Sequence, residues 1–262
     1  MAFCDAPKTG GGYPIAKPII FMFKVSVNIL TKNRAEFLKK ALASVERQSF
    51  RDFEVVLVDD GSTDSTDEVL RNLDAKFYTV ISQSASKGIT FNRQLALEKS
   101  TGEYVAILDD DDEWVDADKL KKQVEFLDAH RDYVLVGGGI AIGQDKKKFR
   151  PESDADLRRT ILLRNNFFTS TVVFRRGAAI KAGRFISDGV DAAEDYDLWL
   201  RMGKLGKMYN FPEVFTLYRV PSYNKERFGQ FLRKQLNLIK SHKKDYPFYS
   251  FASLIIRVRL LL

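Results

Sequence analysis

Three short apolar runs rich in β-branched residues, each followed at once by a polar turn and a helical pattern, hold this chain to a layered α/β fold. KVSVNIL (24–30), FEVVLV (53–58) and EYVAIL (103–108) have the length and composition of buried strands. After the first, Asn33 and Glu36 form a capping pair ahead of Phe37, Leu38, Ala41, Leu42 and Val45 at helical spacing. After the second, DDGSTDST reads as a turn with helix caps and DEVLRNL as a short helix. A further strand near 77–81 and a helix over 91–99 lead into the third run. This βαβ rhythm predicts a mainly parallel, Rossmann-like central sheet with helices on both faces. The pattern then continues as a helix over 119–129, the strand YVLVGGGIAI, a helix over 156–163, a strand over 169–174 and the helix EDYDLWLRMGKLG, ended by Gly206. Glycines 137–139 permit close backbone approach.

In open sheets of this kind ligands bind beyond the carboxyl ends of the strands. Thr31, Asn33, Asp59, Asp60 and the run Asp109 to Asp112 all stand just after a predicted strand. The strongest chemical signal is ILDDDDEW, four consecutive carboxylates at the end of an apolar strand. Like charges so close raise one another's pKa, and a divalent cation reverses that penalty. Hard oxygen ligands suit Mg²⁺ or Mn²⁺, which keep waters and share coordination with a substrate diphosphate. A solvated acidic loop is the plainer reading, disfavoured by the buried strand directly before it.

VSVNILTKNRAEFLKKALASVERQSFRDFEVVLVDDGSTDST, then GEYVAILDDDDEW, then AEDYDLWLRMGKLG, resemble the successive motifs of the family 2 glycosyltransferases, which have the GT-A fold. The resemblance runs over about residues 24–218. It implies that Thr31 and Asn33 line the nucleotide pocket and that Asp60 receives a hydrogen bond from a pyrimidine base. From local sequence alone, Asp60 serves equally well as a turn or cap residue. The resemblance further implies Arg93 facing the donor diphosphate, where a guanidinium can pair with phosphate; a solvated helix arginine is the alternative. Asp111 would bind the metal, with Asp109 supporting the ribose or the metal's water shell and Asp110 in the variable position between them at the donor. Asp195 matches the general base, although acids in a first helical turn are also favoured by the macrodipole. The implied reaction is a single displacement with inversion at the anomeric carbon. The sugar would come from a nucleoside diphosphate donor, with UDP as the expected nucleotide, and go to a hydroxyl of a glycan or lipid-linked acceptor in polysaccharide or glycolipid assembly.

The net charge of +7 is unevenly placed, with acids gathered at 109–118 and 188–197 and basic residues dominating from Arg219 onward. Nucleic acid is not among the expected partners. Residues 219–262 mix cationic and apolar residues, as helices lying on anionic membranes do, and as an amphipathic helix packed on the domain also does. The reading is thus a tail over 1–21 without a signal-peptide pattern, a catalytic domain over 22–218 and a basic amphipathic helical extension over 219–262. A lone Cys4 fits a reducing compartment, hence a cytoplasmic protein, peripheral on the inner face of the membrane if the extension binds lipid. Trp199, Phe167 and Phe168 read as core or acceptor-site wall, and His130 and His242 have no partners for a zinc site or triad. Two further readings compete: a catalytically silent sugar-nucleotide binder, and a haloacid dehalogenase-like phosphatase, which the Glu113–Trp114 continuation fits poorly.

Overall fold

A computed structural model describes residues 23–186, 193–220 and 225–261, with the side chains of the last segment described from residue 228. The expected tail over 1–21 lies outside the described residues, as do Asp188 and Asp191 of the second acidic cluster.

Strand β1 (Val25–Thr31) lies between β2 (Phe53–Asp59) and β4 (Tyr104–Asp109), all parallel, with β3 (Tyr78–Ser82) outside β2. On the other side of β4 come β8 (Val173–Arg175), antiparallel to it, then β6 (Tyr133–Ile142), β9 (Lys207–Leu217) and the two-residue β5 (Glu113–Trp114). A short β7 (Lys146–Lys148) pairs with β6. The expected α/β architecture is present, and it is the all-parallel group β3-β2-β1-β4 that carries the βαβ rhythm.

Nine helices are described: α1 (Ala35–Glu46), α2 (Thr66–Arg71), α3 (Ile89–Lys99), α4 (Lys119–Ala129), α5 (Asp154–Thr160), α6 (Arg176–Lys181), α7 (Glu194–Met202), α8 (Lys225–Ser241) and α9 (Tyr249–Leu261). The two-residue period of the strands sorts their side chains to two faces. From β4, Tyr104, Ala106 and Leu108 join Leu38, Leu42 and Val45 of α1 and Leu120, Val124 and Leu127 of α4. The alternate Val105 and Ile107 join Leu198 and Trp199 of α7, Leu232 and Ile239 of α8, and Ala252 and Ile256 of α9. The C-terminal helices therefore complete one of the domain's two large cores.

The glycine run of β6 works by close approach. A Cβ on Gly138 would stand 2.4 Å from the Phe215 ring, and one on Gly137 would stand 2.4 Å from Oδ1 of Asn210. Two local expectations change. The segment 169–174 is a one-turn 3-10 helix (Thr169–Thr171) leading into β8 rather than one strand, because Thr171 turns its hydroxyl onto the Phe168 carbonyl at 2.7 Å. Asn33 does not cap α1; it adopts φ +52, and its Oδ1 accepts the Thr63 N–H at 2.7 Å. The Asx side chain satisfies the neighbouring turn instead of its own helix.

Candidate active site

Parallel register sets the site. Thr31 pairs with Asp59 and Leu30 with Asp109, so the ends of the three central strands finish level. Above them lies a cavity of about 420 Å³ whose lining includes Thr31, Arg34, Asp60, Arg93, Asp109, Asp110, Asp111 and Arg219. Six of the sequence-derived positions thus share one wall.

The turn after β2 is built by its own polar groups. Asp59 accepts the Ser62 amide at 3.1 Å and its hydroxyl at 2.5 Å, while the Asn33 N–H donates to Ser62 Oγ at 2.8 Å. Asn33 thereby holds the loop from behind and is not part of the cavity lining. Asp60 accepts from Ser86 Oγ at 2.5 Å, the Lys87 N–H at 2.6 Å and Asn92 Nδ2 at 2.6 Å. Burial pushes its pKa up, but these three donors and the Lys32 ammonium outweigh burial and hold it below the ordinary carboxylate value. Asp60 is therefore a fixed anion at the cavity wall.

The acidic run divides by environment. Asp112 is buried, accepting the Ser170 hydroxyl at 2.5 Å and the Arg219 backbone N–H at 2.8 Å, and burial followed by the Asp109 charge pushes its pKa up. Its work is to staple the strand end to the segment after β9. Asp110, with a side chain 5% exposed, pairs with Arg34 at 2.7 Å, and the same Nη1 lies 3.2 Å from Asp111. Burial raises both of these carboxyls, with Arg34 opposing it. Asp109 and Asp111 are the more open, at 34% and 17%. Asp109 and Asp111 thus present more carboxylate surface than Asp110 and Asp112.

Arg93, expected to face the donor, lies in the cavity wall but spends two donors on carboxylates. Its Nη2 meets Asp109 at 2.7 Å and its Nε meets Glu194 at 3.2 Å, with only 4% and 7% exposure at the Glu194 pair. One guanidinium thus joins the two acidic motifs, 85 residues apart by number between Asp109 and Glu194 (194 − 109). Burial raises the Glu194 pKa, the Asp195 charge adds to it, and Arg93 opposes both.

Asp195 stands outside the cavity lining, one residue beyond that bridge in the first turn of α7. Its Oδ2 accepts from Thr169 Oγ1 at 2.6 Å and Asn165 Nδ2 at 3.0 Å, and its Oδ1 accepts the Tyr196 N–H at 2.6 Å. Oδ2 has both lone pairs filled, while Oδ1 keeps one for a further donor. The carboxylate is held still and remains open to accept a proton.

Among the described residues no three His, Cys, Asp or Glu side chains gather into a cage that alone could hold a metal ion. The donor set still suits Mg²⁺ or Mn²⁺, which bind through one or two carboxylates together with substrate phosphates. Asp111, with Asp109, offers those hard oxygens at the cavity face.

The family model for glycosyl transferase family 2 matches residues 26–186, more than half of the chain. The chain belongs to this family. Among its relatives, the amylovoran biosynthesis glycosyltransferase AmsE of Erwinia amylovora is 28% identical over 84% of this chain and 85% of its own length. The Escherichia coli UDP-Glc:alpha-D-GlcNAc-diphosphoundecaprenol beta-1,3-glucosyltransferase WfaP is 28% identical over 83% and 86%. Other relatives are longer, this chain spanning 65% or 58% of their length. Staphylococcus aureus TarS residues 1–349 in complex with UDP-GlcNAc superimpose with a TM-score of 0.68 at 20% identity, covering 91% of this chain and 71% of that one. The mannosyltransferase PcManGT of Pyrobaculum calidifontis, in complex with GDP-Man and Mn²⁺, gives 0.66 at 20% identity over 95% and 72%. These likenesses identify the fold as GT-A, and with the family in hand the dehalogenase-like reading falls away.

As a family 2 member the chain has two site residues that sequence reading missed, Arg34 and Arg219, and a third, Asp112, whose role it did not give. Arg34 follows Asn33 directly, yet its partners Asp110 and Asp111 are 76 and 77 positions away (110 − 34, 111 − 34). Asp112 belongs to the acidic run singled out above, but its role as a staple depends on its Ser170 and Arg219 partners. Arg219 stacks over the Phe37 ring at 3.7 Å from its centroid, closing the cavity from the far end of β9. None of these pairings leaves a local periodic signal.

Proposed function

We propose that the chain is an inverting, metal-dependent glycosyltransferase that moves a sugar from a UDP-sugar to a hydroxyl of a glycan or lipid-linked acceptor in polysaccharide or glycolipid assembly. The observation that carries this reading is the Arg93 bridge, which ties a donor-sized cavity walled by Asp60, Asp109 and Asp111 to the helix turn bearing Asp195. The nucleotide is assigned to the cavity, with Thr31 and Asp60 at the base and ribose end. Asp60, kept ionised by its three donors, accepts an N–H from a pyrimidine. WfaP, a UDP-Glc-dependent relative by name, and the TarS complex with UDP-GlcNAc support that nucleotide.

The reaction follows from the geometry of the chain's own groups. Asp195, held by Thr169, Asn165 and the Tyr196 N–H, takes the acceptor hydroxyl's proton as that oxygen attacks the anomeric carbon. The bond from that carbon to the diphosphate oxygen breaks on the opposite face, and the configuration inverts. Asp111, with Asp109, would hold Mg²⁺ or Mn²⁺, whose charge stabilises the departing diphosphate. Arg34 and Arg219 add fixed positive charge at the same wall.

The exposed side of α9 supports action at the inner face of a membrane. Phe251, Leu254 and Val258 are 57%, 59% and 47% exposed, and the helix carries Arg257 and Arg259 with no acidic residue in it. Among the described residues no helix is long and apolar enough to cross a membrane.

The deciding experiment offers a panel of nucleoside diphosphate sugars, with and without Mn²⁺, to the wild-type protein, Asp111→Ala and Asp195→Asn. We expect metal-dependent transfer from a UDP-sugar by the wild type alone. Transfer that survives both substitutions overturns the assignment.

A further inference from the structure

Next to Asn165, which holds Asp195, the fold brings two arginines near each other without a carboxylate partner among the described residues. Arg150 follows β7 and lies over the Phe168 ring, its guanidinium carbon 4.6 Å from the centroid. Its Nε is sealed from solvent and has no hydrogen-bond acceptor. Arg164 is exposed and near enough for its charge to bear on Arg150; burial first, then that charge, holds Arg150 below the ordinary arginine value. Among the described residues no carboxylate pairs with either guanidinium.

Bringing like charges together, one with a buried unsatisfied N–H, costs free energy, yet the fold enforces it. The buried Asn210 amide donates to the carbonyls of Pro151 and Asn166, both at 3.0 Å, and so clamps the two arginine-bearing segments to each other. Those segments also carry the groups that hold the base. Asn165, next to Arg164, and Thr169, next to Phe168, are the side chains that bind Asp195 Oδ2. Neither arginine lines the cavity assigned to the donor.

We propose that Arg150 and Arg164 form an anion subsite for the acceptor, receiving the phosphate of a glycosyl diphosphate whose sugar hydroxyl meets Asp195. The proposal rests on Asp195 as the base and deepens that reading by naming the acceptor's charge. A planar guanidinium fork matches phosphate oxygens, and two cations on segments clamped to each other suit a diphosphate. In such an acceptor the anomeric phosphate and the attacking hydroxyl are separated by one sugar ring. Asn165 and Thr169, which hold the base, neighbour Arg164 and the Phe168 ring under Arg150, so the segment 164–169 links the arginine pair to Asp195.

The test uses a glycosyl diphosphate carrying a short alkyl chain, the same glycoside on a neutral alkyl chain, and a polyol-phosphate oligomer as competitor. In Arg150→Ala/Arg164→Ala protein the KM for the diphosphate acceptor rises about tenfold or more, the size expected for losing charge-assisted hydrogen bonds. The neutral acceptor keeps its kcat/KM, and the donor keeps its Kd. Arg150→Lys restores part of the loss, which separates charge from packing, and exposed Arg164→Gln alone gives a smaller loss in a protein with wild-type Tm. Equilibrium binding of the diphosphate acceptor to Asp195→Asn protein isolates the subsite from the base. Binding retained there and lost in the arginine variants supports the subsite even if turnover contradicts the base. Equal binding by all variants, or equal loss for charged and neutral acceptors, overturns it. Competition by the polyol-phosphate oligomer without binding of the glycosyl diphosphate overturns the glycolipid assignment in favour of a phosphate polymer.

Discussion

Single side chains decide most of the chemistry here, and Asp195 is the sharpest case. Replacing it by Asn keeps the size and the Thr169 contact while removing the proton acceptor. Transfer should fall by roughly 10² to 10⁴-fold, the usual contribution of a positioned base, with donor affinity unchanged. Comparing kcat with a donor titration checks this, and a fall in affinity alone would contradict the role. Arg93 has a different weight. Its loss in Arg93→Met strands Glu194, 7% exposed, without its cation. Breaking a buried pair from one side costs about 3–5 kcal/mol, so urea denaturation should register a large loss that Arg93→Lys reduces. The identities of Asp60, Arg93, Asp109 and Asp111 as cavity residues were legible because each follows a strand end or sits in a recognisable motif. Arg34 and Arg219 were not, nor was the stapling role of Asp112, because these roles arise from partners far away in the sequence. Asn33 was read as a cap and donor contact, and its backbone at φ +52 turns the amide into the Thr63 turn instead.

At the scale of elements, what was legible followed from hydrophobic period. β1, β2 and β4 are short, mostly apolar runs buried on both faces, and α4 carries Leu120, Val124 and Leu127 on one side, so sequence and structure agree there to within a residue or two. Strand β9 escaped because it has no such run. Pro212 interrupts it, and the pairing with β6 shifts register between Gly137 and Gly139, where partners move from Asn210 to Val214. A proline cannot donate to the ladder and is tolerated at such an irregularity. The C-terminal helices illustrate two faces with two uses. α9 was open to reading as a packed helix or a membrane-surface helix, and its inner face buries Ala252 and Ile256 while its outer face exposes Phe251, Leu254 and Val258. Changing the outer three to Ser should leave the melting temperature within a few degrees of wild type, because surface changes are worth about ±0.5 kcal/mol. Co-sedimentation with anionic vesicles should drop sharply. Undiminished binding to those vesicles would rule out α9 as the membrane contact.

For the whole molecule, the site and the core are one hydrogen-bonded body, and its buried centre holds an ionisable group. Lys119 is fully buried, donates to Gln123 Oε1 at 2.8 Å and lies over the Trp114 ring at 4.1 Å. Gln123 in turn donates to the Thr171 carbonyl at 2.9 Å, and Trp114 Nε1 donates to the Ser170 carbonyl at 2.7 Å. Ser170 is the residue whose hydroxyl holds Asp112, so this chain of contacts runs from the α4 core to the acidic rim. Burial drives the Lys119 pKa well below its ordinary value, with Asp116 opposing it weakly. The sign of the consequence is fixed by proton counting. Between the depressed folded pKa and about 10.4, the unfolded chain binds a proton at Lys119 that the native chain does not, so stability rises with pH through that window. Lys119→Met removes the difference. Urea-derived ΔG measured at several alkaline pH values should then have a slope about 1.4 kcal/mol per pH unit lower than wild type. An unchanged slope would mean that Lys119 keeps its charge when folded. In that case the ammonium would have to be held by the Trp114 face and the Gln123 carbonyl oxygen alone, and the same substitution would lower stability evenly at every pH.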